Sequence, residues 1–379
     1  MVALETNGDS NHPSNVGGTT RLLATGFNAH KQLSSSEGDV KAFDLILESQ
    51  SGNEPRILFA GWSNTVVICG NILFSLGYEQ MEPSADEVTE NLRGGFGDHE
   101  GMLGCLDGEG QLYLVKDSAA SQKGPELVKG STGNSPLIGN VCHAGNGRVA
   151  VTFKQAPNGN LCHIAEFSSF ESFQKWFEDP SGEGNYPENH HMLPGRPKQL
   201  LANTGTFILL MENGEVYTWG DNRYESIARS TTGDGSVPAD KPGAVEALGG
   251  LRISKVATSG WISAALSEDG ALYVWGSTTS AAAGRIECLE AANSENVSLV
   301  EISETDDDPL DALDVAVGNN HIAAVTEGGR LFVVGDNQNG QLGLGSNEEM
   351  VASWREAQAV SEVRKVFCGP KSTFAVCEE

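Results

Sequence analysis

An internal repeat runs through most of this chain and limits the folds open to it. Three segments align by eye, and they are GEVYTWGDNRYES (214–226), GALYVWGSTTSAA (270–282) and GRLFVVGDNQNGQLGLG (329–345). Each reads as a turn glycine, three or four β-favouring residues, a second glycine and a polar loop, and a second apolar segment precedes each one. A repeat of antiparallel strands cannot bury its apolar faces alone, so neighbouring copies must pack on one another.

The turns inside the repeat favour strands over helices. Asn213-Gly214 and Asp269-Gly270 each separate two apolar runs. Such dipeptides are strong hairpin signals, because both central residues of a type I′ turn have positive φ. The predicted unit is therefore a strand, a glycine-containing turn, a second strand, a two-residue turn, a third strand, a glycine and a loop.

Degenerate copies of this unit extend along the whole chain. The half that holds the third strand and its loop begins at residues 22, 72, 111, 160, 216, 272 and 331. The half that holds the first two strands also occurs seven times, from 57–68 to 363–376. We therefore predict an all-β fold, a seven-bladed β-propeller. Because the chain starts with one half-unit and finishes with the other, pairing of the N- and C-terminal strands is expected to close the ring and remove its free edges.

The chain divides into a short tail and one propeller. Residues 1–20 are polar and contain neither Lys nor Arg, which predicts a disordered tail and no signal peptide. Residues 21–379 are expected to form a single propeller without an appended domain. A helical and loop insertion is predicted at about residues 167–197.

Net charge narrows the class of partner. The 379 residues include 51 acidic and 24 basic side chains, which gives a formal net charge of −27. Binding to nucleic acid or to an anionic membrane surface depends on clustered Lys and Arg, so neither partner is expected. Seven cysteines without a C-x-x-C pair predict neither a disulfide framework nor a zinc ribbon, and we expect a cytoplasmic or nuclear protein.

The sequence contains no familiar catalytic or cofactor-binding motif. It lacks G-x-x-x-x-G-K-[ST], G-x-S-x-G and H-E-x-x-H, and the repeat glycines fit turns better than phosphate binding. Glu188, His190 and His191 are predicted to lie on an exposed loop, where adjacent ligands rarely share one ion. His143 and His321 are expected to hydrogen-bond a neighbouring blade. We therefore expect no enzyme activity, no cofactor and no metal.

One segment breaks the rhythm of the strands. In FSSFESFQKWF (167–177) the aromatic residues recur at helical spacing and form a stripe on one face. One interpretation is a surface helix whose stripe packs under the following loop. The other is that part of the stripe, with Tyr186, anchors a protein partner, because aromatic residues are enriched at interfaces. The candidate contact residues are Phe170, Phe173, Trp176, Phe177 and Tyr186.

The loop tips after the blade glycines form a second candidate surface. These loops should meet at one end of a propeller and present a polar contact surface there. The candidate residues are Asp221, Asn222, Arg223, Tyr224, Asp336, Asn337 and Gln338. The alternative is that the Asp and Asn side chains only cap their own turns.

The end of the repeat resembles the signature of a known family. VVGDNQNGQLGLG (333–345) is similar to the WGxNxxGQLGxG signature of the regulator-of-chromosome-condensation repeat family, and YTWGDNRYESIA (217–228) and ATGFNAHKQL (24–33) match it in part. The blades between residues 80 and 200 have lost most of it. The resemblance covers roughly residues 21–379 and implies the same seven-bladed propeller, while fold alone does not give function.

The resemblance leaves several functions open. Similarity to the stand-alone fungal alpha-tubulin-suppressor branch implies a non-catalytic regulatory partner in Elongator-dependent transfer-RNA wobble modification and diphthamide synthesis, bound to a small metal-carrying electron-transfer protein. The alternatives are a guanine-nucleotide exchange factor for a Ran-like small GTPase and an adaptor for a ubiquitin ligase or a chromatin enzyme. The founding type has a basic chromatin-binding tail, whereas residues 1–20 are not basic. We expect a protein-binding monomer or heterodimer.

Overall fold

Seven antiparallel β-sheets form the blades of a closed propeller. The structure is a computed structural model that describes residues 18–50, 53–78, 91–116, 126–130, 136–154, 159–278, 286–290, 297–303 and 309–378. The predicted all-β, seven-bladed architecture is confirmed. Residues 1–17 of the predicted tail lie outside the described residues, whereas Thr19 and Thr20 already belong to a strand.

The first strands along the chain belong to the last blade and to blades 1–3. β1 (Thr19–Gly26) and β2 (Val40–Gln50) join the last blade. Blade 1 contains β3 (Arg56–Ala60), β4 (Asn64–Cys69) and β5 (Ile72–Gly77) among the described residues. Blade 2 contains β6 (Leu92–Gly97), β7 (Met102–Asp107), β8 (Leu112–Lys116) and β9 (Glu126–Lys129). Blade 3 contains β10 (Ile138–His143), β11 (Val149–Phe153), β12 (Leu161–Phe167) and β13 (Asn189–Pro194).

The remaining strands complete the ring. Blade 4 contains β14 (Pro197–Ala202), β15 (Thr206–Met211), β16 (Val216–Gly220) and β17 (Gly243–Ala244). Blade 5 contains β18 (Ile253–Ser259), β19 (Ile262–Ser267), β20 (Leu272–Gly276) and β21 (Ser298–Val300). Blade 6 contains β22 (Ala312–Val317), β23 (His321–Thr326), β24 (Arg330–Asp336) and β25 (Met350–Glu356). Blade 7 combines β26 (Val363–Gly369) and β27 (Ser372–Glu378) with β1 and β2.

The two chain ends close the ring by strand pairing, as the order of the half-units predicts. β1 runs antiparallel to β27, with partners from Thr20 and Glu378 to Gly26 and Ser372. Blade 7 therefore takes two strands from each end of the chain, in the order β2-β1-β27-β26. Both central strands of this blade are hydrogen-bonded on both sides.

The core consists of seven apolar clusters, one between each pair of neighbouring blades. The second strand of a blade faces a neighbour on both sides, so its residues are buried whichever way they point. All six residues of β15, β19 and β23 are buried for this reason. The continuous apolar runs of the sequence are thus these second strands.

The propeller has two distinct ends. At the hairpin end, turns join the second and third strands of each blade, and the innermost strands begin. At the loop end, each third strand runs into the long loop of the repeat signature. The innermost strands β3, β6, β10, β14, β18, β22 and β26 surround a central channel of about 900 Å³.

The turns at the hairpin end differ from the predicted type I′ turns. In blade 4 the Gly214 N–H donates to Met211 O at 3.0 Å, and the Met211 N–H donates to Glu215 O at 2.9 Å. Gly214 has a φ of 90°, while Asn213 is absent from the positive-φ residues. The loop therefore has three residues, a type I turn followed by a left-handed glycine. The predicted two-residue turn was wrong, because only the glycine takes the left-handed conformation.

The predicted insertion at 167–197 is shorter than expected. It contains helix α1 (Phe170–Glu178), but Asn189–Pro194 forms β13, the outer strand of blade 3. Glu188, His190 and His191 therefore do not lie on a plain loop, because the two histidines are in a paired strand. A second helix, α2 (Glu287–Glu290), packs near blade 5. Within the described part of the chain, neither helix has the length and apolar character that a bilayer span requires.

Candidate protein-interaction surfaces

The signature loop of blade 6 is closed by its own polar side chains. Asn337 Oδ1 accepts the Leu342 N–H at 3.0 Å, and Asn337 Nδ2 donates to Glu348 O at 2.8 Å. Gln341 Oε1 accepts the Asn339 N–H at 2.9 Å. The Asn, Gln and Leu of the signature therefore stabilise the loop from inside.

The same loop in blade 7 follows this plan. Asn28 Oδ1 accepts the Leu33 N–H at 2.9 Å, and Gln32 Nε2 donates to Trp62 O in blade 1 at 2.9 Å. Lys31, with a φ of 61°, replaces the left-handed glycine of the signature. Its backbone keeps the loop shape without that glycine.

The loop of blade 4 departs from the signature and carries an exposed aromatic residue. Arg223 and Tyr224 lie over Trp261, which follows the innermost strand of blade 5. The Tyr224 and Trp261 ring centroids are 5.2 Å apart, and the Arg223 Cζ is 5.3 Å from the Trp261 ring centroid. Tyr224 is 48% exposed, whereas Trp261 is 7% exposed. We call Arg223, Tyr224 and the supporting Trp261 the Trp261 platform.

Backbone strain is concentrated beside this platform. Tyr224, Glu225 and Ala228 have φ values of 61°, 57° and 51°, and they are three of the five non-glycine residues with positive φ in the described part of the chain. This conformation costs about 1–2 kcal/mol for each such residue. The surrounding structure must supply that energy.

Buried hydroxyl and indole groups hold the strained loop. The Ser226 Oγ donates to Asp221 O at 2.6 Å and lies 2.8 Å from the Thr206 Oγ1. The Trp275 indole of blade 5 donates to Ser226 O at 3.0 Å. The loop is therefore fixed from its buried side, while Tyr224 remains on the surface.

Electrostatics fix the Arg223 side chain. Arg223 NH2 lies 2.6 Å from Asp221 Oδ2, and the hydrogen bond from Arg223 lowers the pKa of Asp221 below its usual value. The Asp221 carboxylate therefore stays ionised and holds the guanidinium above the indole. Asn222 beside them is exposed. Arg, Tyr and Trp are the residue types enriched at binding hot spots.

The structure places the two predicted loop tips differently. Asp221 to Tyr224 come together on the surface, but Asp336 and Asn337 are only 3% and 4% exposed. Asp336 and Asn337 cap their own loop and are not accessible to a partner, while Gln338 beside them is exposed. The alternative interpretation of turn capping thus describes the blade 6 loop.

Most of the predicted aromatic stripe packs inside the propeller. Phe173, Trp176 and Phe177 are 0%, 8% and 1% exposed and join the apolar cluster between blades 2 and 3. Phe170 is half-buried, with its ring centroid 6.0 Å from that of Phe96. These four side chains stabilise the fold in this structure, so a partner cannot reach the three buried rings without opening the core. Tyr186 is 73% exposed.

A buried polar cluster joins blades 3 and 4. The fully buried Glu166 accepts the Trp219 indole N–H at 2.9 Å, and its carboxylate lies 2.6 Å from His191 Nε2 and 2.8 Å from Arg148 NH2. Trp219 is the tryptophan of the WG pair in the repeat. Its indole reaches the preceding blade, as that of Trp275 does. The cluster satisfies a buried carboxylate and is accounted for by packing of the two blades.

Other side chains that could carry chemistry are buried. His321 is fully buried and hydrogen-bonds the Thr373 hydroxyl of blade 7 at 3.1 Å. Burial raises the pKa of the Cys105 and Cys162 thiols to about 12, so neither is a thiolate near neutral pH. Across the described residues, no group of three or more His, Cys, Asp or Glu side chains has a geometry that suits a metal ion.

Sequence comparison finds a known repeat in the segments that carry these loops. Profiles described as "Regulator of chromosome condensation (RCC1) repeat" match residues 213–266, 313–341 and 328–376. These segments include the strained loop, Trp261 and the signature loop of blade 6. These segments of the chain are similar to RCC1 repeats.

Known relatives and structures agree with an RCC1-like propeller. RCC1 domain-containing protein 1 of Mus musculus is 32% identical over 222 residues, which are 48% of this chain and 56% of the mouse protein. The match thus spans little more than half of that relative's length. Probable E3 ubiquitin-protein ligase HERC3 of Homo sapiens is 28% identical over 178 residues, 47% of this chain and 16% of the ligase.

A solved structure shares the fold of this chain. Prp20p from Saccharomyces cerevisiae, whose structure was described with its binding properties to Gsp1p and histones, superposes with a TM-score of 0.62 at 13% identity. The superposition covers 94% of this chain and 91% of Prp20p. At this identity the likeness concerns the fold alone.

Proposed function

We propose that this RCC1-like propeller is a non-catalytic ring that binds a partner protein through the Trp261 platform at its loop end. The observation that carries the proposal is the strained, exposed Tyr224, whose ring packs against Trp261. Two non-glycine residues at this solvent-facing tip, Tyr224 and Glu225, adopt left-handed conformations that cost free energy of folding.

The chemistry of the platform suits a protein surface. Tyr224 presents a large rigid ring, and Arg223 presents a guanidinium already oriented by Asp221. Both side chains lose little conformational freedom on binding, since they are held in place beforehand. An acidic or polar partner loop with an apolar side chain would complement them.

The identity of the partner is a finer proposal. The Elongator- and diphthamide-linked role, with a small metal-carrying electron-transfer protein as partner, is our leading hypothesis from the resemblance of the repeats. Nucleotide exchange on a Ran-like GTPase is the alternative, as is an adaptor role for a ubiquitin ligase or chromatin enzyme. The likeness to Prp20p and to HERC3 motivates these alternatives without choosing between them.

Comparative affinity purification tests the proposal. Wild-type protein, Tyr224→Ala and Tyr186→Ala are each used as bait, and bound proteins are quantified by mass spectrometry. Tyr186, 73% accessible on another blade, is the exposed tyrosine of the other candidate surface, so its variant shows which of the two surfaces the partner uses. We expect a partner that Tyr224→Ala loses and Tyr186→Ala keeps. Equal recovery by all three baits would reject the Trp261 platform as the binding surface.

The class of that partner then separates the finer hypotheses. Recovery of a small metal-binding carrier, a GTPase or a ligase supports the three roles in turn. If a GTPase is recovered, nucleotide release is measured with a fluorescent guanine nucleotide. Acceleration by wild-type protein but not by Tyr224→Ala would replace the non-catalytic role by exchange activity.

A further inference from the structure

Positive charge gathers at the hairpin end of the central channel, although the protein is strongly acidic. Acidic side chains outnumber basic ones by 51 to 24 over the chain. The channel reverses that ratio, with five cations and two carboxylates, Asp107 and Glu212, among its lining residues. The cations, which we call the channel-mouth cations, are Arg93, Lys154, Arg196, Lys198 and Lys255.

A β-bulge in each innermost strand positions several of these side chains. The pairing register of β3, β6, β10, β14, β18, β22 and β26 shifts by one residue near the start of each strand. A bulge bends the strand and re-aims the side chain at that point. Arg93 and Lys198 are the extra residues of their bulges, and Lys255 follows the bulge of β18 directly.

Backbone carbonyls, rather than carboxylates, hold two of the lysines. Lys154 Nζ donates to Gly108 O at 2.7 Å, and Lys198 Nζ donates to Ser254 O at 2.7 Å. Both side chains are exposed, and neither forms a salt bridge within the described part of the chain. Their charge is therefore positioned but not neutralised.

Three other basic residues at the hairpin end each pair with a carboxylate, unlike these two lysines. Lys255 Nζ lies 2.5 Å from Asp314 Oδ1, and Lys365 Nζ lies 2.9 Å from Glu54 Oε1. Arg252 pairs with Glu268. Within the described part of the channel lining, Lys154 and Lys198 thus add positive charge to the side of the mouth formed by blades 3 and 4.

Arg93 extends the same side of the mouth. A Cβ added to Gly108 would lie 2.8 Å from Arg93 Nε, so the Arg93 guanidinium packs closely against the turn at Gly108. The carbonyl oxygen of Gly108 also accepts the hydrogen bond from Lys154. Arg93 and Lys154 come from neighbouring blades and converge on this glycine. Two cations from different strands, held at one turn, form a pre-positioned site for a carboxylate.

The channel behind the mouth includes apolar side chains. Phe59, Leu201, Ala257 and Phe367 line it among others, and the channel has a volume of about 900 Å³. A ligand that suits both parts has carboxylates beside an apolar side chain. We infer that the channel mouth binds a short acidic segment of a partner protein, with its carboxylates on Arg93, Lys154 and Lys198 and an apolar side chain in the channel.

Net charge favours a short segment over an extended polyanion. A nucleic acid or a phospholipid surface would extend well beyond the mouth, over a protein with a net charge of −27. Charges farther away than about 8 Å are largely screened at physiological salt, so a short peptide is influenced mainly by the nearby cations. This site is at the opposite end of the ring from the Trp261 platform, and the inference does not depend on it.

Fluorescence anisotropy tests the inference with a defined probe. The probe is a short fluorescein-labelled peptide with glutamates on both sides of a central leucine pair. We expect saturable binding to the wild-type protein and about tenfold weaker binding to the double variant Lys154→Gln/Lys198→Gln. The matched control, Lys31→Gln/Lys241→Gln, removes the same charge from two exposed lysines outside the channel lining and should bind like wild type.

A charge swap keeps the test decisive if one variant folds poorly. Lys154→Glu/Lys198→Glu should lose the acidic peptide and bind the same peptide with lysines in place of the glutamates. Thermal melts confirm that each variant is folded. No saturable binding by the wild type, or equal weakening in the control pair, would overturn the inference. Stronger displacement by single-stranded RNA or phosphatidylserine vesicles than by unlabelled peptide would also overturn it.

Discussion

Gly276 ends the third strand of blade 5 where a side chain has no room. Its φ is 94°, and a Cβ there would lie 1.9 Å from the carbonyl oxygen of Trp261. The glycines at the same position in other blades meet equivalent carbonyls at 2.2–2.4 Å, and they are Gly26, Gly77, Gly220 and Gly335. The second glycine of the repeat is therefore required by both backbone conformation and close approach of the neighbouring strand.

Substitution of Gly276 by alanine should therefore be severe. We expect Gly276→Ala to lower the free energy of unfolding by more than about 3 kcal/mol, because strain and a backbone clash add. Gly233→Ala is the control, since Gly233 has a φ of 113° with nothing within 4 Å of its Cβ. It should cost only about 1 kcal/mol. Equal losses in urea denaturation would show that the close approach is unimportant.

His321 links the stability of the ring to pH. Burial lowers its pKa to about 4 in the folded protein. In the unfolded chain a histidine has a pKa of about 6.5. The unfolded state therefore binds the proton first, and stability should fall as pH drops from about 6.5 to about 4.

A variant that does not titrate at position 321 separates the contribution of His321 to the pH dependence of stability from that of the many carboxylates. His321→Gln keeps a group able to hydrogen-bond the Thr373 hydroxyl but does not titrate. Between pH 7 and pH 4 the wild type should lose about 3 kcal/mol more unfolding free energy than the variant. Parallel pH profiles in chemical denaturation would contradict the assignment.

Helix α1 contributes to stability as a packing element. Ser169 caps its N-terminus by accepting the Ser172 N–H at 3.1 Å, and its apolar face is buried between blades 2 and 3. Trp176→Ala should lower the free energy of unfolding by about 3 kcal/mol. Tyr186→Ala, in the exposed loop that follows, should change it by less than about 0.5 kcal/mol. Unchanged stability of Trp176→Ala would instead favour the interpretation that the aromatic stripe binds a protein partner.

The sequence predicts three strands in each blade and leaves out the outermost one. The first three strands carry apolar runs or turn signals. The outer strands β13, β17 and β21 are short or half-exposed, and β17 has two residues. Their position follows from pairing with the third strand rather than from a hydrophobic pattern, so the sequence alone gave no periodic signal for them.

The Trp261 platform was predictable only in part, because its residues come from two blades that are separate in the sequence. The signature loop points to Asp221–Tyr224, but its support, Trp261, lies on the next blade and meets the loop only when the ring closes. The hint was the tryptophan directly after the turn glycine, Gly260. The channel-mouth cations were hidden by total charge, because the net charge of −27 is an average over the whole surface.

At the scale of the whole molecule, contacts between blades unite the ring. Trp219 donates to Glu166 of blade 3, Trp275 donates to Ser226 O of blade 4, and β1 pairs with β27. The ring in turn sets the geometry of both proposed surfaces. The Trp261 platform combines blades 4 and 5 at one end, while the channel mouth combines blades 2, 3 and 4 at the other.

The affinity of the captured partner for the purified ring tests the central proposal most directly. Isothermal titration calorimetry compares wild type, Arg223→Ala, Tyr224→Ala and the control Tyr186→Ala, after thermal melts show that all four are folded. The Trp261 platform as a hot spot predicts a Kd at least about 30-fold higher for each platform variant. Tyr186→Ala should bind like wild type. A Kd that neither Arg223→Ala nor Tyr224→Ala changes would contradict the proposal that the ring binds its partner through this surface.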